Sequence, residues 1–222
     1  MIKASVTCKQ EKGINYILDD KKKITFKPWL GDTFSFLYDH MMENSVFPNL
    51  FGGDIEKHTE ILKEELGQIH NKKILELGAG SGIAASYLPS DNVYTGIDIC
   101  PGLLKRACKR FEEYGFNNAD FYVAKAEDLP FEDNSFDICL CMLSLNFFDD
   151  IHRTLREIQR VLAAKGTFCC AVPVPERKKT KKTIHGTLLS EKKIQSLCTE
   201  TGFTYHPMEK ENGALLYFRA VL

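Results

Sequence analysis

A chain of 222 residues with 44% apolar and 27% charged residues has room for one α/β domain with a modest extension. Its formal net charge of −1 excludes a whole-protein attraction to nucleic acid or anionic membranes. The first residues, MIKASVTCKQEKG, lack an apolar secretory core, no window approaches a membrane span, and neither end carries a lipidation motif, so a cytoplasmic protein is expected.

In chain order, INYILDD and ITFK around the Lys21-Lys22-Lys23 turn predict a short hairpin, and Pro28-Trp29 marks a break. The aromatic and Met-rich stretch from Asp32 to Glu43 reads as a helix, with Asp32 or Thr33 as its cap. SVFPNLFGGD reads as a loop. Asp54 then caps a helix, IEKHTEILKEEL, with Ile55, Ile61, Leu62 and Leu66 as its apolar stripe. The boundaries that follow are an N-terminal extension over 1–53 and the main domain over 54–222.

Lys72 to Gly82, KKILELGAGSG, is the pivot. The apolar residues Ile74, Leu75 and Leu77, interrupted by Glu76, run into Gly78, Gly80 and Gly82, and IAASYL is helix-compatible. A buried strand, a glycine turn and a helix start form a nucleotide-binding corner. A dinucleotide fingerprint needs glycine where Ile83 stands, which argues against a nicotinamide-dependent oxidoreductase; the P-loop lysine is absent as well.

VYTGID (93–98) predicts a second strand ending in Asp98, placed to accept hydrogen bonds from both hydroxyls of a ribose. Pro101 starts a helix that ends at Gly115. DFYVAKA and FDICLCML predict strands, the latter buried on both faces. A helix over DIHRTLREIQRVLAAKG groups Ile151, Leu155, Ile158, Val161 and Leu162, ending at Gly166. GTFCCAVPV is a strand, 175–189 a basic loop, and Ser190 caps the last helix. FTYHPME and GALLYFRAVL close the chain as a hairpin, so an antiparallel strand is expected on an otherwise parallel sheet built from right-handed βαβ units.

The eight cysteines contain no CxxC pair. They read as free thiols packed as small hydrophobes, with no metal site; a thiolate site for a soft metalloid is the alternative.

Four motifs in order, ILELGAGSG, GIDIC, AEDLPFEDNSFDICLCML and LREIQRVLAAKGTF, make residues from about 55 to 172 resemble the class I S-adenosylmethionine-dependent methyltransferases. The branch that looks nearest is the small-molecule type that includes the ubiquinone/menaquinone-biosynthesis C-methyltransferases. The resemblance implies a Rossmann-like three-layer sandwich with a seven-stranded, mostly parallel sheet, an antiparallel C-terminal strand and an N-terminal helical lid. It implies S-adenosyl-L-methionine as cofactor. Glu76, Gly78, Ala79, Gly80, Ser81 and Gly82 would hold its methionine part, Asp98 the ribose, Ile99, Ala126 and Glu127 the adenine, and Met142, Leu143 and Ser144 the floor near the sulfonium.

Two departures stand out. Lys125 occupies a position where relatives often carry Asp or Asn, and a lysine cannot accept from the adenine amino group. After the fourth strand, Leu143-Ser144-Leu145-Asn146-Phe147-Phe148 lacks the paired histidines of many relatives, which removes the obvious general base. Tyr38, His40, His58, Asn146 and His185 are the remaining candidates, none at a diagnostic spacing. The lid residues Phe34, Phe36, Leu37, Tyr38, Met41 and Met42, flanked by Trp29 and Phe47, suit a hydrophobic or aromatic small-molecule acceptor. Arg177, Lys178, Lys179, Lys181 and Lys182 read as a solvated loop, with a clamp for an anionic acceptor or an RNA contact as alternatives; the near-neutral chain weighs against nucleic acid. A module that holds S-adenosylmethionine without turnover is the rival to an enzyme.

Overall fold

The computed structural model describes residues 2–26 and 37–222. Expectations for Pro28, Trp29, Asp32, Thr33, Phe34 and Phe36 fall outside the described residues. A single mixed sheet runs through the molecule in the order β1-β2-β6-β5-β4-β7-β8-β10-β9, with β3 paired to β2. Its strands are β1 Thr7–Glu11, β2 Ile14–Asp19, β3 Lys22–Lys23, β4 Lys73–Leu77, β5 Val93–Asp98, β6 Ala119–Val123, β7 Phe136–Met142, β8 Leu162–Pro173, β9 Thr204–Asn212 and β10 Leu215–Val221. The helices are α1 Tyr38–Met41, α2 Ile55–Leu66, α3 Pro101–Glu113, α4 Ile151–Val161 and α5 Glu191–Glu200.

The sheet has ten strands where seven are expected, and β6-β5-β4-β7-β8-β10-β9 make up seven of them. The other three are β1, β2 and β3. INYILD forms β2, but its main partner is β1 and not ITFK, and the expected Lys21-Lys22-Lys23 turn itself holds the two-residue β3. β2 continues the sheet because it pairs in parallel with β6 through Ile14, Asn15 and Tyr16. The segment before residue 54 therefore supplies strands to the same sheet as the rest of the chain. β10 runs antiparallel to both β8 and β9, as the closing hairpin predicts.

Period-two alternation sorts the central strands into two cores. Ile74, Ile138, Leu140, Cys169 and Ala171 face the layer that holds α2 and α3 residues Leu62, Leu66, Leu104 and Phe111. Leu75, Leu77, Cys139, Cys141, Phe168 and Cys170 face the layer of α4 and α5, with Leu155, Ile158, Ile194 and Leu197. Both faces of β4, β7 and β8 are thus covered, which is why these strands read as unbroken apolar runs. Each fully buried Leu or Phe contributes roughly 1.5–3 kcal/mol. Cys139, Cys141, Cys169 and Cys170 sit inside these cores, and burial pushes the Cys169 thiol up to about 12. They pack as small hydrophobes, and a thiolate there is disfavoured.

Caps fall where the sequence puts them. Asp54 accepts from the Lys57 amide at 3.0 Å, and Ser190 from the Lys193 amide at 3.1 Å. Pro101 opens α3.

Three local expectations are corrected. SVFPNLF is not a loop: Met42–Phe51 continues α1 as a wide π-type helix, and the Gly52 amide bonds to the Phe47 carbonyl five residues back. The segment after the glycine turn is only a one-turn 3₁₀ helix, Ile83–Ser86, which Pro89 prevents from extending. α4 stops at Val161, and Leu162 already belongs to β8, since the Asn134 and Ser135 amides take the carbonyls of Arg160 and Val161 at 3.0 and 2.8 Å.

Candidate cofactor and acceptor site

The order of the sheet reverses at β4: β5 lies on one side of it and β7 on the other. Open α/β sheets bind ligands at the carboxyl ends of strands flanking such a switch. Here those ends are Leu77, Asp98 and Met142. The loop leaving β4 winds through Gly78, Gly80 and Gly82 at φ +69, +53 and +79, conformations open to glycine without strain. It is pinned to β5, because the Ala79 amide bonds to the Ile97 carbonyl at 2.9 Å. Asp98 completes the anchor. One carboxylate oxygen accepts from the Gly80 amide and the other from the Cys100 amide, both at 2.9 Å.

Two cavities open at this edge. The first, about 210 Å³, is lined by Glu76, Ala79, Ser81, His58, Phe47 and Met42 among others. The second, about 300 Å³, is lined by Asp98, Ile99, Ala126, Glu127, Ser144 and Phe148 among others. They share Tyr38, Gly78, Gly80, Met142 and Leu143. A Cβ placed on Gly80 would meet nothing nearer than 3.9 Å, where the Gly78 carbonyl and the Tyr38 hydroxyl lie, so it would make ordinary contacts and no clash. Leu143 holds φ +62, a strained conformation for a leucine at the point where the cavities meet.

Twelve of the thirteen cofactor residues expected from sequence line one or both cavities. Gly82 does not. It lies beneath the loop, where a Cβ would stand 2.7 Å from the Ala107 Cα of α3. It therefore allows the close helix packing that a dinucleotide fingerprint obtains from a glycine one position later, where Ile83 stands. Lys125 lines the second cavity and pairs with Asp149 at 2.8 Å. Glu127 is buried and accepts from the Asp149 amide at 2.8 Å, which fixes the turn after β7 against the cavity rim.

Of the base candidates, Tyr38 lies at the junction, and burial beside Asp98 and Asp39 pushes its phenol well above the usual range. It is a neutral hydroxyl there. His40 is exposed and bonds Asn44 at 3.1 Å. His185 is also exposed, Asn146 donates its amide to the His185 carbonyl at 2.8 Å, and neither lines either of these two cavities. His58 does. Its Nδ1 lies 2.9 Å from the Tyr217 hydroxyl, and burial lowers its pKa to about 4.

Sequence reasoning missed Asp39 and Arg110. Asp39 accepts from Ser81 Oγ at 2.5 Å, from Arg106 at 2.6 Å and from Arg110 at 2.7 Å. This fastens α1 to the glycine loop and α3. Its partners lie 42 to 71 positions away in the chain, so no local pattern signals the contact.

Glu76 is fully buried and takes a hydrogen bond from the Tyr94 hydroxyl. Burial pushes its carboxyl up to about 8 from 4.5. The folded chain then keeps a proton that the unfolded chain releases near 4.5, so stability is full below that pH and is lost as pH rises toward 8. Glu76→Gln removes this dependence. Urea unfolding between about pH 5 and about pH 7 should show the wild type losing on the order of 2 kcal/mol more than the variant. Parallel profiles would mean that Glu76 is not the group holding the proton.

An open α/β sheet with a glycine corner, an acid ending the next strand and a divided pocket at the switch point is the arrangement in which such sheets bind nucleotide-like ligands. Residues 75–170 match the family described as "Methyltransferase domain". The chain is 35% identical over 97 residues to the uncharacterized methyltransferase YcgJ of Bacillus subtilis (strain 168), covering 43% of this chain and 38% of that protein. It is 38% identical over 108 residues to the ubiquinone/menaquinone biosynthesis C-methyltransferase UbiE of Rickettsia felis, covering 45% of this chain and 44% of that protein. The chain thus spans less than half the length of these curated relatives. Among solved structures, YcgJ superposes with a TM-score of 0.64 at 17% identity, over 75% of this chain and 98% of that one. A SAM-dependent methyltransferase from Aquifex aeolicus superposes at 0.62 and 16% identity, over 84% and 96%. Among the described residues, no helix is long and apolar enough to cross a membrane.

Proposed function

We propose that the chain is an S-adenosylmethionine-dependent methyltransferase acting on a small molecule in the cytoplasm. The observation that carries this is the divided pocket: two cavities, one on the Asp98 side and one on the Glu76 side, meeting at Tyr38, Gly78, Gly80, Met142 and Leu143. The residues fit the cofactor. Gly80 lines both cavities with no side chain of its own, and Asp98, oriented by two backbone amides, is a bidentate acceptor for ribose hydroxyls. Ile99, Ala126 and Glu127 lie in the same cavity for the adenine, and Glu76 and Ser81 lie in the other for the amino-acid part.

When bound, the cofactor supplies an electrophilic methyl group on a sulfonium, open to in-line displacement. The chain's own residues hold the two partners in line and keep water out. Residues 37–53 act as the lid. Asp39 ties them to Ser81, Arg106 and Arg110, and Met42 and Phe47 wall the first cavity. This apolar wall supports a hydrophobic or aromatic acceptor. The titration of Glu76 follows the same logic: an ammonium placed beside it favours the carboxylate, so binding releases a proton near neutral pH.

Calorimetry with S-adenosylhomocysteine, S-adenosylmethionine and NAD tests the cofactor. The first two should bind and NAD should not; binding of NAD alone would sink the reading. Turnover is tested by S-adenosylhomocysteine release with quinones, phenols, thiols, amines and arsenite. Binding without release from any of them would instead make the chain a module that only holds the cofactor.

A further inference from the structure

Arg110 lines the first cavity, and among the described residues no other lysine or arginine does. His58 lines it too, but burial lowers its pKa to about 4 and keeps the ring neutral. The ionisable side chains that remain on this lining are acids, namely Asp39, Glu43 and Glu76, besides the neutral phenol of Tyr38. A carboxylate entering the cavity therefore has one cation to turn to.

Arg110 already meets one carboxylate. Asp39 Oδ2 accepts from Arg106 Nη2 at 2.6 Å and from Arg110 Nη2 at 2.7 Å, while Asp39 Oδ1 accepts from Ser81 Oγ at 2.5 Å. Two guanidinium groups thus share one carboxylate, and the cluster keeps a surplus positive charge. Arg106 lines neither cavity, so the surplus reaches ligand space through Arg110.

Ser81 decides how Arg110 is presented. Its hydroxyl proton goes to Asp39, and its oxygen accepts from Arg110 Nη1 at 3.2 Å. The hydroxyl therefore orients the guanidinium and has no proton left for a ligand. Arg110 spends two of its five N–H groups on Ser81 and Asp39, and the other three have no acceptor among the described residues. Glu76 shows the opposite preference in the same cavity, since its buried carboxyl gains from a nearby cation. A buried acid and a surplus guanidinium on one lining suit a ligand that carries both an ammonium and a carboxylate.

We infer that Arg110 is the receptor for the α-carboxylate of the cofactor, and that it selects ligands that keep this group over those that have lost it. The assignment rests on the methyltransferase reading above and adds to it the residue that recognises the amino-acid end. Arg110 then has two carboxylates to serve, Asp39 of the lid and the ligand's own, and the fork of its guanidinium has donors for both. Ser81 is a positioning residue for it.

Calorimetry with S-adenosylhomocysteine and its decarboxylated analogue, in which hydrogen replaces the carboxylate, tests this. The wild type should bind S-adenosylhomocysteine about tenfold or more tightly than the analogue. Arg110→Met keeps an unbranched stem, removes the charge and should erase that preference. A purely structural role, exerted through Asp39, would weaken both ligands alike and leave the preference intact. Nitrogen-15 NMR needs no variant to fold: the Arg110 Nε–H signal should move further with S-adenosylhomocysteine than with the analogue. Equal binding of the two ligands by the wild type, a preference that survives in Arg110→Met, or equal movement of the signal would each overturn the assignment, with S-adenosylhomocysteine still bound. Failure of the wild type to bind either ligand would instead remove the methyltransferase reading and this one with it.

Discussion

Asp98→Ala should weaken S-adenosylhomocysteine binding by on the order of 2 kcal/mol or more, about thirtyfold or greater. The carboxylate has one role in the fold and a second proposed for it. It orients the Gly80 and Cys100 amides, each at 2.9 Å, and so holds the glycine loop to the start of α3. It also faces the second cavity, where a ribose would meet it. A single variant merges these contributions, and a cycle separates them. The ligands are S-adenosylhomocysteine and its 2′-deoxy analogue; the proteins are the wild type and Asp98→Ala. If Asp98 binds the ribose, removing the hydroxyl weakens binding to the wild type and changes little in the variant. If Asp98 only anchors the loop, the hydroxyl costs the same in both proteins, and the ribose assignment falls. Unchanged affinity in Asp98→Ala would remove both roles.

The legible parts of this molecule are those in which neighbouring residues carry the information. Ile74, Leu75 and Leu77 followed by alternate glycines announce β4 and its turn, since a strand buried on both faces and a chain reversal each leave a local mark. Asp54, Pro101 and Ser190 announce helix starts because a cap acts within three residues. The illegible parts are settled across the fold. Leu162 suits the α4 stripe and the β8 core equally well, and the Asn134 and Ser135 amides decide the matter from far along the chain. INYILD reads as a strand, but its partners, β1 on one side and β6 on the other, are not the neighbouring ITFK that the chain suggests. Asp39 carries no motif, and its meaning comes from two arginines on α3. His58 was legible as a candidate, but its hydrogen-bond partner, the Tyr217 hydroxyl, lies more than 150 positions away.

Two glycines of one loop should fail in opposite ways. Gly82→Val should destabilise the fold by about 3–5 kcal/mol, combining a β-branched residue at positive φ with overpacking. At φ +79 the new Cβ would lie 2.7 Å from the Ala107 Cα and 2.8 Å from its Cβ. Neither can yield cheaply, because Leu104, Ala107 and Phe111 seat α3 on the sheet with at most 1% exposure. The melting temperature should fall by about 10 °C or more. Gly80→Ala meets no atom nearer than 3.9 Å, so its cost is confined to the left-handed backbone, about 1–2 kcal/mol. Its methyl group, however, would stand where both cavities meet, so S-adenosylhomocysteine binding should drop at least tenfold while the fold persists. Thermal unfolding and calorimetry on the two variants check this pairing. A stable Gly82→Val would mean that α3 is free to retreat from the loop. A Gly80→Ala variant with full affinity would mean that the ligand does not cross the Gly80 cradle, and the division of the pocket into adenosine and methionine sides would lose its support.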